Sequence, residues 1–115
     1  MLNCGANSFK VSLVTIVKND AVGIKETIKS ISLEKVAEVQ YIVIDGGSDD
    51  GTLEEITNFS EFIDIFISEP DNGIAAAFNK GIDLAKGDWV GLINSGDTLV
   101  KGALDNLLRR IDLYR

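Results

Sequence analysis

Four short apolar runs, separated by amphipathic segments, predict an α/β fold: a Rossmann-like, mostly parallel sheet of about four strands alternating with helices. Three observations support this. The runs are rich in β-branched residues and lack polar alternation, as in strands covered on both faces. The segments between them repeat apolar residues at helical spacing. Each run stops at a cluster of Asn, Asp, Gly or Ser, and open α/β sheets bind ligands at that edge.

The elements follow in order. VSLVTIV, residues 11–17, reads as a buried strand broken by Lys18-Asn19-Asp20. Asp20 is a candidate N-cap for a helix carrying Ile24, Ile28 and Ile31 on one face. Residues 41–44, YIVI, form a second strand, ended by Asp45-Gly46-Gly47-Ser48. Ser48 or Asp50 is positioned to cap a helix bearing Leu53, Ile56 and Phe59. Residues 63–67 form a third strand, followed by a Pro70-Asp71-Asn72-Gly73 loop. Residues 74–86 predict a helix closed by Gly87 as its C′ glycine. Residues 89–93 form a fourth strand, stopped by Asn94-Ser95-Gly96-Asp97. A last helix is expected over residues 101–113, with Leu104, Leu107, Leu108 and Ile111 inward. Phe78, Trp89 and the isoleucines read as core. Strands alternating with helices imply parallel pairing through crossovers.

The chain of 115 residues suits a single domain spanning 1–115. Eighteen acidic residues against 11 basic ones give a net charge of −7. That balance argues against nucleic acid and against docking on anionic lipid. An acidic protein that binds a polyanionic nucleotide needs a metal ion or backbone N–H groups at a helix start. Cys4 is the single cysteine, so no internal disulfide forms. The absence of His removes the commonest general base and the usual zinc ligand. No apolar run reaches the ~20 residues that span a bilayer. The first ten residues, MLNCGANSFK, lack the apolar core of a signal peptide. The expected location is cytoplasmic.

Three stretches could carry chemistry. In IDGGSDDGT, residues 44–52, Asp45 ends a buried strand and, as an acceptor, suits an N–H donor such as the uracil imide. Gly46 and Gly47 allow close backbone approach. The same residues also serve an ordinary βα turn. In LINSGD, residues 92–97, Asn94 and Asp97 reach the same edge, where oxygen ligands suit Mg²⁺ or Mn²⁺. The alternative is that Asp97 only starts the last helix. In EPDNGIAAAFNKG, residues 69–81, Asn72-Gly73 opens a helix whose small first residues leave its N–H groups open to phosphate. The alternative is close helix–sheet packing through alanines. A phosphate loop, a GxGxxG fingerprint and a GxSxG elbow are all absent. A phospho-acceptor receiver domain needs an acid pair after the first strand, where this chain has Asn19-Asp20.

These segments resemble glycosyltransferase family 2, the inverting family with the GT-A fold. VSLVTIVKN is similar to the family's VSVIIPTYN, IDGGSDDGT to its VDDGSTDGT, and DNGIAAAFNKGIDLAKGDWVGLINSGD to its NxGxxxARNxGxxxAxGxYIxFLDxDD. Three matches in order cover residues 11 to about 108. The spellings DGGS, SEPDNGI and LNSGD are similar to members that build bacterial surface polysaccharides.

The resemblance implies a nucleoside-diphosphate-sugar site. It lays Val17 and Asn19 against the base and makes Asp45, with Gly46 beside it, the uracil reader. Asn72, Gly73 and Ala76 fall near base and phosphates, Asn94 lies in the ribose and metal segment, and Asp97 is the metal ligand. Three positions depart from the pattern. Gly46 replaces the second acid of DDGS, Phe78 replaces the Arg of ARN, and Asn94-Ser95-Gly96-Asp97 keeps one carboxylate of DxDD. The resemblance places the acceptor region and the catalytic base beyond the donor half, so no catalytic residue is assigned to this chain.

The expected activity is transfer of a sugar, UDP-linked by preference, to a saccharide or lipid-linked acceptor in surface polysaccharide synthesis. Mg²⁺ or Mn²⁺ is the implied cofactor. The expected place is the cytoplasm, with the full-length protein peripheral at the inner membrane. Apolar surface left by truncation implies self-association. The alternative is a nucleotide-binding module or a structural remnant without catalytic activity.

Overall fold

The computed structural model describes residues 9–113, so Cys4 lies outside the described residues. The strands are β1 (Val11–Val17), β2 (Val39–Asp45), β3 (Ile65–Ser68) and β4 (Trp89–Asn94). The α-helices are α1 (Ala21–Ser32), α2 (Thr52–Thr57), α3 (Ile74–Leu84) and α4 (Ala103–Leu113). A single 3-10 turn, Ser60–Phe62, precedes β3. The four strands form one sheet in the order β3-β2-β1-β4, and every pairing is parallel. The predicted Rossmann-like α/β architecture is therefore the observed one.

β1 and β2 are buried along their whole length, which explains their unbroken apolar runs. Alternate residues feed two cores. Val11, Leu13 and Val17 pack with Ile24, Ile28 and Ile31 of α1, Ile56 of α2, and Leu104 and Ile111 of α4. Val14, Ile16, Ile42 and Ile44 face the other way, onto Ala77 of α3. The result is three layers, with α3 alone on the second face. There α3 comes close enough to β1 that a Cβ on Gly81 would stand 2.3 Å from Val14 Cγ1.

Several local expectations need correction. α3 ends at Leu84 with Ala85 extended, so Gly87 is not a helix cap. Gly87 instead passes against β1. Its amide donates to Ser12 Oγ at 2.8 Å, and a Cβ there would lie 2.6 Å from the Ser12 nitrogen. Ser12 and Gln40 form a buried polar pair between β1 and β2, and the Lys86 amide donates to Gln40 Oε1 at 2.8 Å. α4 starts at Ala103, its first amides held by the Glu34 carboxylate at the end of α1. Trp89 is 50% exposed, not core. It begins β4, an edge strand. Val90 and Leu92 point to the opposite face and are uncovered because α3 lies over β1 and β2 instead of β4, and Ile74 and Ile82 of α3 are exposed too. Phe78 is partly buried against the α3-side core.

Gly81→Ala should lower unfolding stability by about 1–3 kcal/mol through overpacking against Val14. Urea denaturation of the variant beside the parent chain measures it.

Candidate functional site

The carboxyl ends of the strands line up. Register pairs Val17 with Asp45, Asp45 with Ser68, and Ile16 with Asn94. The chain leaves β1 toward β2 on one side and returns through α3 to β4 on the other, so the order reverses beside β1. A crevice forms at such a reversal.

Asp45 is fully buried at this edge. Its Oδ2 accepts from the amides of Gly47 at 3.0 Å and Ser48 at 2.9 Å, and from Ser68 Oγ at 2.8 Å. Its Oδ1 accepts from Ser48 Oγ. Four donors thus engage this carboxylate, three on Oδ2 and one on Oδ1. The side chain expected to read a base is thus enclosed and spent on folding its own turn. Ser48, a candidate helix cap, is spent on the same carboxylate, while Asp50 accepts from the Thr52 amide at 2.9 Å. The Thr52 hydroxyl and amide hold the exposed Asp50 carboxyl below its ordinary range. Gly47 adopts φ +93°, a conformation that glycine supplies without strain.

The neighbouring loops are tied to this turn. Asn19 takes φ +51°, donates its amide to Ser48 Oγ at 2.8 Å and accepts from the Asp49 amide at 2.9 Å. It therefore braces two loops and is not part of the cleft lining. The Asp20 amide donates to Thr52 Oγ1 at 2.9 Å. The Asp20 carboxylate caps α1 through the Gly23 amide at 3.1 Å and accepts from Ser95 Oγ at 2.8 Å. Thr27, fully buried on α1, donates to the Asp97 carbonyl at 2.6 Å and accepts from the Gly96 amide at 2.9 Å. The loop after β4 is thus pinned by its backbone, and the Asp97 side chain stays exposed.

A cleft of about 140 Å³ opens between these loops and α3. β1 contributes Ile16, Val17 and then Lys18; the β2 turn contributes Gly46. Asp71, Gly73, Ile74 and Ala77 close it from the α3 side. Among the expected residues, Val17, Gly46 and Gly73 meet here. Ala76 gives way to its neighbour Ala77 in the lining. Asn72, Asn94 and Asp97 are exposed at the same edge but outside the cleft. Gly73 precedes α3 with φ +112° and no side-chain cap, which leaves first-turn N–H groups open to an anion. Lys18 and Asp71 also line the cleft; the sequence placed Asp71 in a loop at this edge but assigned neither residue a role. The signal for Asp71 was the missing acid at position 46.

Among the described residues no group of three acidic, Cys or His side chains gathers to hold a metal. Asp97 offers one exposed carboxylate without a hydrogen-bond partner among the described residues. Mg²⁺ often takes one or two carboxylates plus phosphate oxygens, so this donor set fits a cation shared with a diphosphate.

A family model described as glycosyl transferase family 2 matches residues 12–115, and the chain belongs to that family. An uncharacterized glycosyltransferase of Mycobacterium tuberculosis is 36% identical over 88 residues, covering 76% of this chain and 34% of the relative. A PGL/p-HBAD biosynthesis glycosyltransferase of Mycobacterium bovis is 29% identical over 101 residues, covering 85% and 39%. The chain thus spans about a third of the length of these relatives. Among solved structures, Staphylococcus aureus TarS in complex with UDP-GlcNAc superposes with a TM-score of 0.83. It shares 23% identity, over 91% of this chain and 32% of that one. A Pyrobaculum calidifontis mannosyltransferase in complex with GDP-Man and Mn²⁺ gives a TM-score of 0.77 at 21% identity, covering 87% and 31%. These likenesses establish the GT-A type of fold.

Asp45→Ala should cost about 3 kcal/mol or more, because it strands buried amide and hydroxyl donors together. Guanidinium unfolding of the variant reads that loss directly, with no nucleotide present.

Proposed function

We propose that this chain supplies the donor site of an inverting glycosyltransferase that uses a nucleoside-diphosphate sugar, with UDP as the favoured nucleotide. The observation that carries the proposal is the cleft beside β1, where segments of all three family-like motifs meet next to the open start of α3. Family membership supports glycosyl transfer. The UDP-GlcNAc held by TarS supports a uridine donor. The proposed acceptor is a saccharide or lipid-linked sugar in surface polysaccharide synthesis, with the protein cytoplasmic and peripheral at the inner membrane. No helix among the described residues is long and apolar enough to cross a membrane.

In this reading the base lies against Ile16 and Val17, and the diphosphate runs past Lys18 toward the start of α3. Asp45 and Asn19 act by holding the loops. Asn72, Ala76 and Asn94 lie along the path from base to phosphates. Asp97 would hold Mg²⁺ or Mn²⁺ together with the diphosphate oxygens, where such an ion neutralises charge on the leaving nucleotide. The Mn²⁺ bound by the mannosyltransferase supports that cofactor class. The acceptor hydroxyl needs a base, and no residue of this chain is assigned that part.

Calorimetric titration tests the proposal. UDP should bind this chain in the presence of Mn²⁺ and at least about tenfold more weakly without it, a difference of ~1.4 kcal/mol. Asp97→Ala should remove the Mn²⁺ dependence while leaving the unfolding midpoint unchanged. Absence of UDP binding with and without Mn²⁺ would count against a donor site in this chain.

Self-association is proposed through the β4 edge, where Trp89, Val90 and Leu92 are exposed. Light scattering should then show mass rising with concentration, and a strict monomer would dismiss the contact.

A further inference from the structure

We infer that Asp71, and not Asp45, is the carboxylate that reads the nucleobase, and that it selects a base with a ring N–H donor over one with a bare ring nitrogen. This rests on the proposal that the cleft holds a nucleoside diphosphate. A base-reading acceptor must face the ligand with a free lone pair. Asp45 is fully buried, accepts from four donors and does not line the cleft. Asp71 lines it. Its Oδ1 accepts from the Gly73 amide at 3.1 Å, while its Oδ2 meets no donor among the described residues.

Gly46 supplies the complementary half of the argument. It lines the same cleft, and a Cβ built on it would stand 3.0 Å from Asp71 Oδ2 and 3.4 Å from its Cγ. Its φ lies outside the left-handed region, so backbone conformation does not demand glycine there. What glycine provides is space for the Asp71 carboxylate. The loop before α3 thus brings a carboxylate within reach of the volume that a side chain at position 46 would enter.

The chemistry of the cleft narrows the ligand. Ile16, Val17 and Ala77 give apolar surface for a flat ring, with one acceptor beside it. A carboxylate accepts from an imide N–H and repels the bare ring nitrogen that cytosine presents at the same place. The cleft should therefore prefer UDP over CDP.

The test is calorimetry with UDP and CDP, each with Mn²⁺, on this chain and four variants. Asp71→Ala should weaken UDP at least tenfold and erase the preference over CDP. Asp71→Asn keeps the shape and the bond to the Gly73 amide, and should also collapse the UDP-to-CDP ratio. Gly46→Asp alone should weaken UDP by crowding Asp71 with a second negative charge. Gly46→Asp combined with Asp71→Ala should recover UDP preference, because one carboxylate again occupies the space. Melting curves of all four confirm folding. An unchanged UDP-to-CDP ratio in Asp71→Ala and Asp71→Asn would overturn the assignment and leave the donor site standing. Failure of the unmodified chain to bind either nucleotide would overturn both.

Discussion

A carboxylate buried at the end of β2 constrains the whole functional edge of this fold. An ionised carboxylate away from water is tolerated only when its lone pairs are filled. Asp45 meets that demand with the amides of its own turn, a hydroxyl from that turn and a hydroxyl from β3. The turn must curl back over the strand end, and that curl needs Gly47 at φ +93°. It also fixes where Gly46 faces the cleft. The loops after β1 and β4 are tied to this anchored turn directly or through one another.

The loops are joined to it by a chain of short polar contacts. Asn19 meets both Ser48 and Asp49, and Asp20 meets Thr52 and, across the edge, Ser95. Thr27 then grips the backbone on both sides of the Gly96–Asp97 bond. Each link uses a backbone amide or a side chain of the β1–α1 loop or α1, so that segment is the brace between two otherwise separate loops. Charged and polar groups at the edge divide accordingly. Asp45, Asp20 and Thr27 are committed to protein donors and acceptors, while Asp71, Asp97 and Lys18 keep capacity for something else.

The sheet, its parallel order and all four main helices were legible in the sequence, because period and burial follow the same rule. β1 and β2 read as apolar runs since both faces are covered, and Ile24, Ile28 and Ile31 mark α1 by spacing alone. What escaped was set by tertiary approach. Gly87 looks like a helix cap, but its small size serves contact with Ser12 two strands away in sequence. Trp89 looks like core, but an edge position depends on topology that hydropathy does not encode. At the site, Asp45 and Asp71 are both acids in turns, and only burial distinguishes a spent carboxylate from an available one. The Gly46 substitution was visible as a departure, yet its meaning required the spatial neighbour.

The sheet order also bears on how the chain acquires its shape. β1 is central, yet its second neighbour, β4, arrives 72 residues later, from Val17 to Trp89. At ~5–20 residues per second of synthesis, β1 waits roughly 4–14 s with one edge unpaired. During that interval β2 can dock at once, since it follows α1 directly, and α3 can cover the pair before β4 exists. A parallel sheet has no hairpin to close locally, so each strand must be gathered over a long loop. The nascent chain is therefore most exposed to wrong pairing along β1, a strand that is buried along its whole length in the finished molecule.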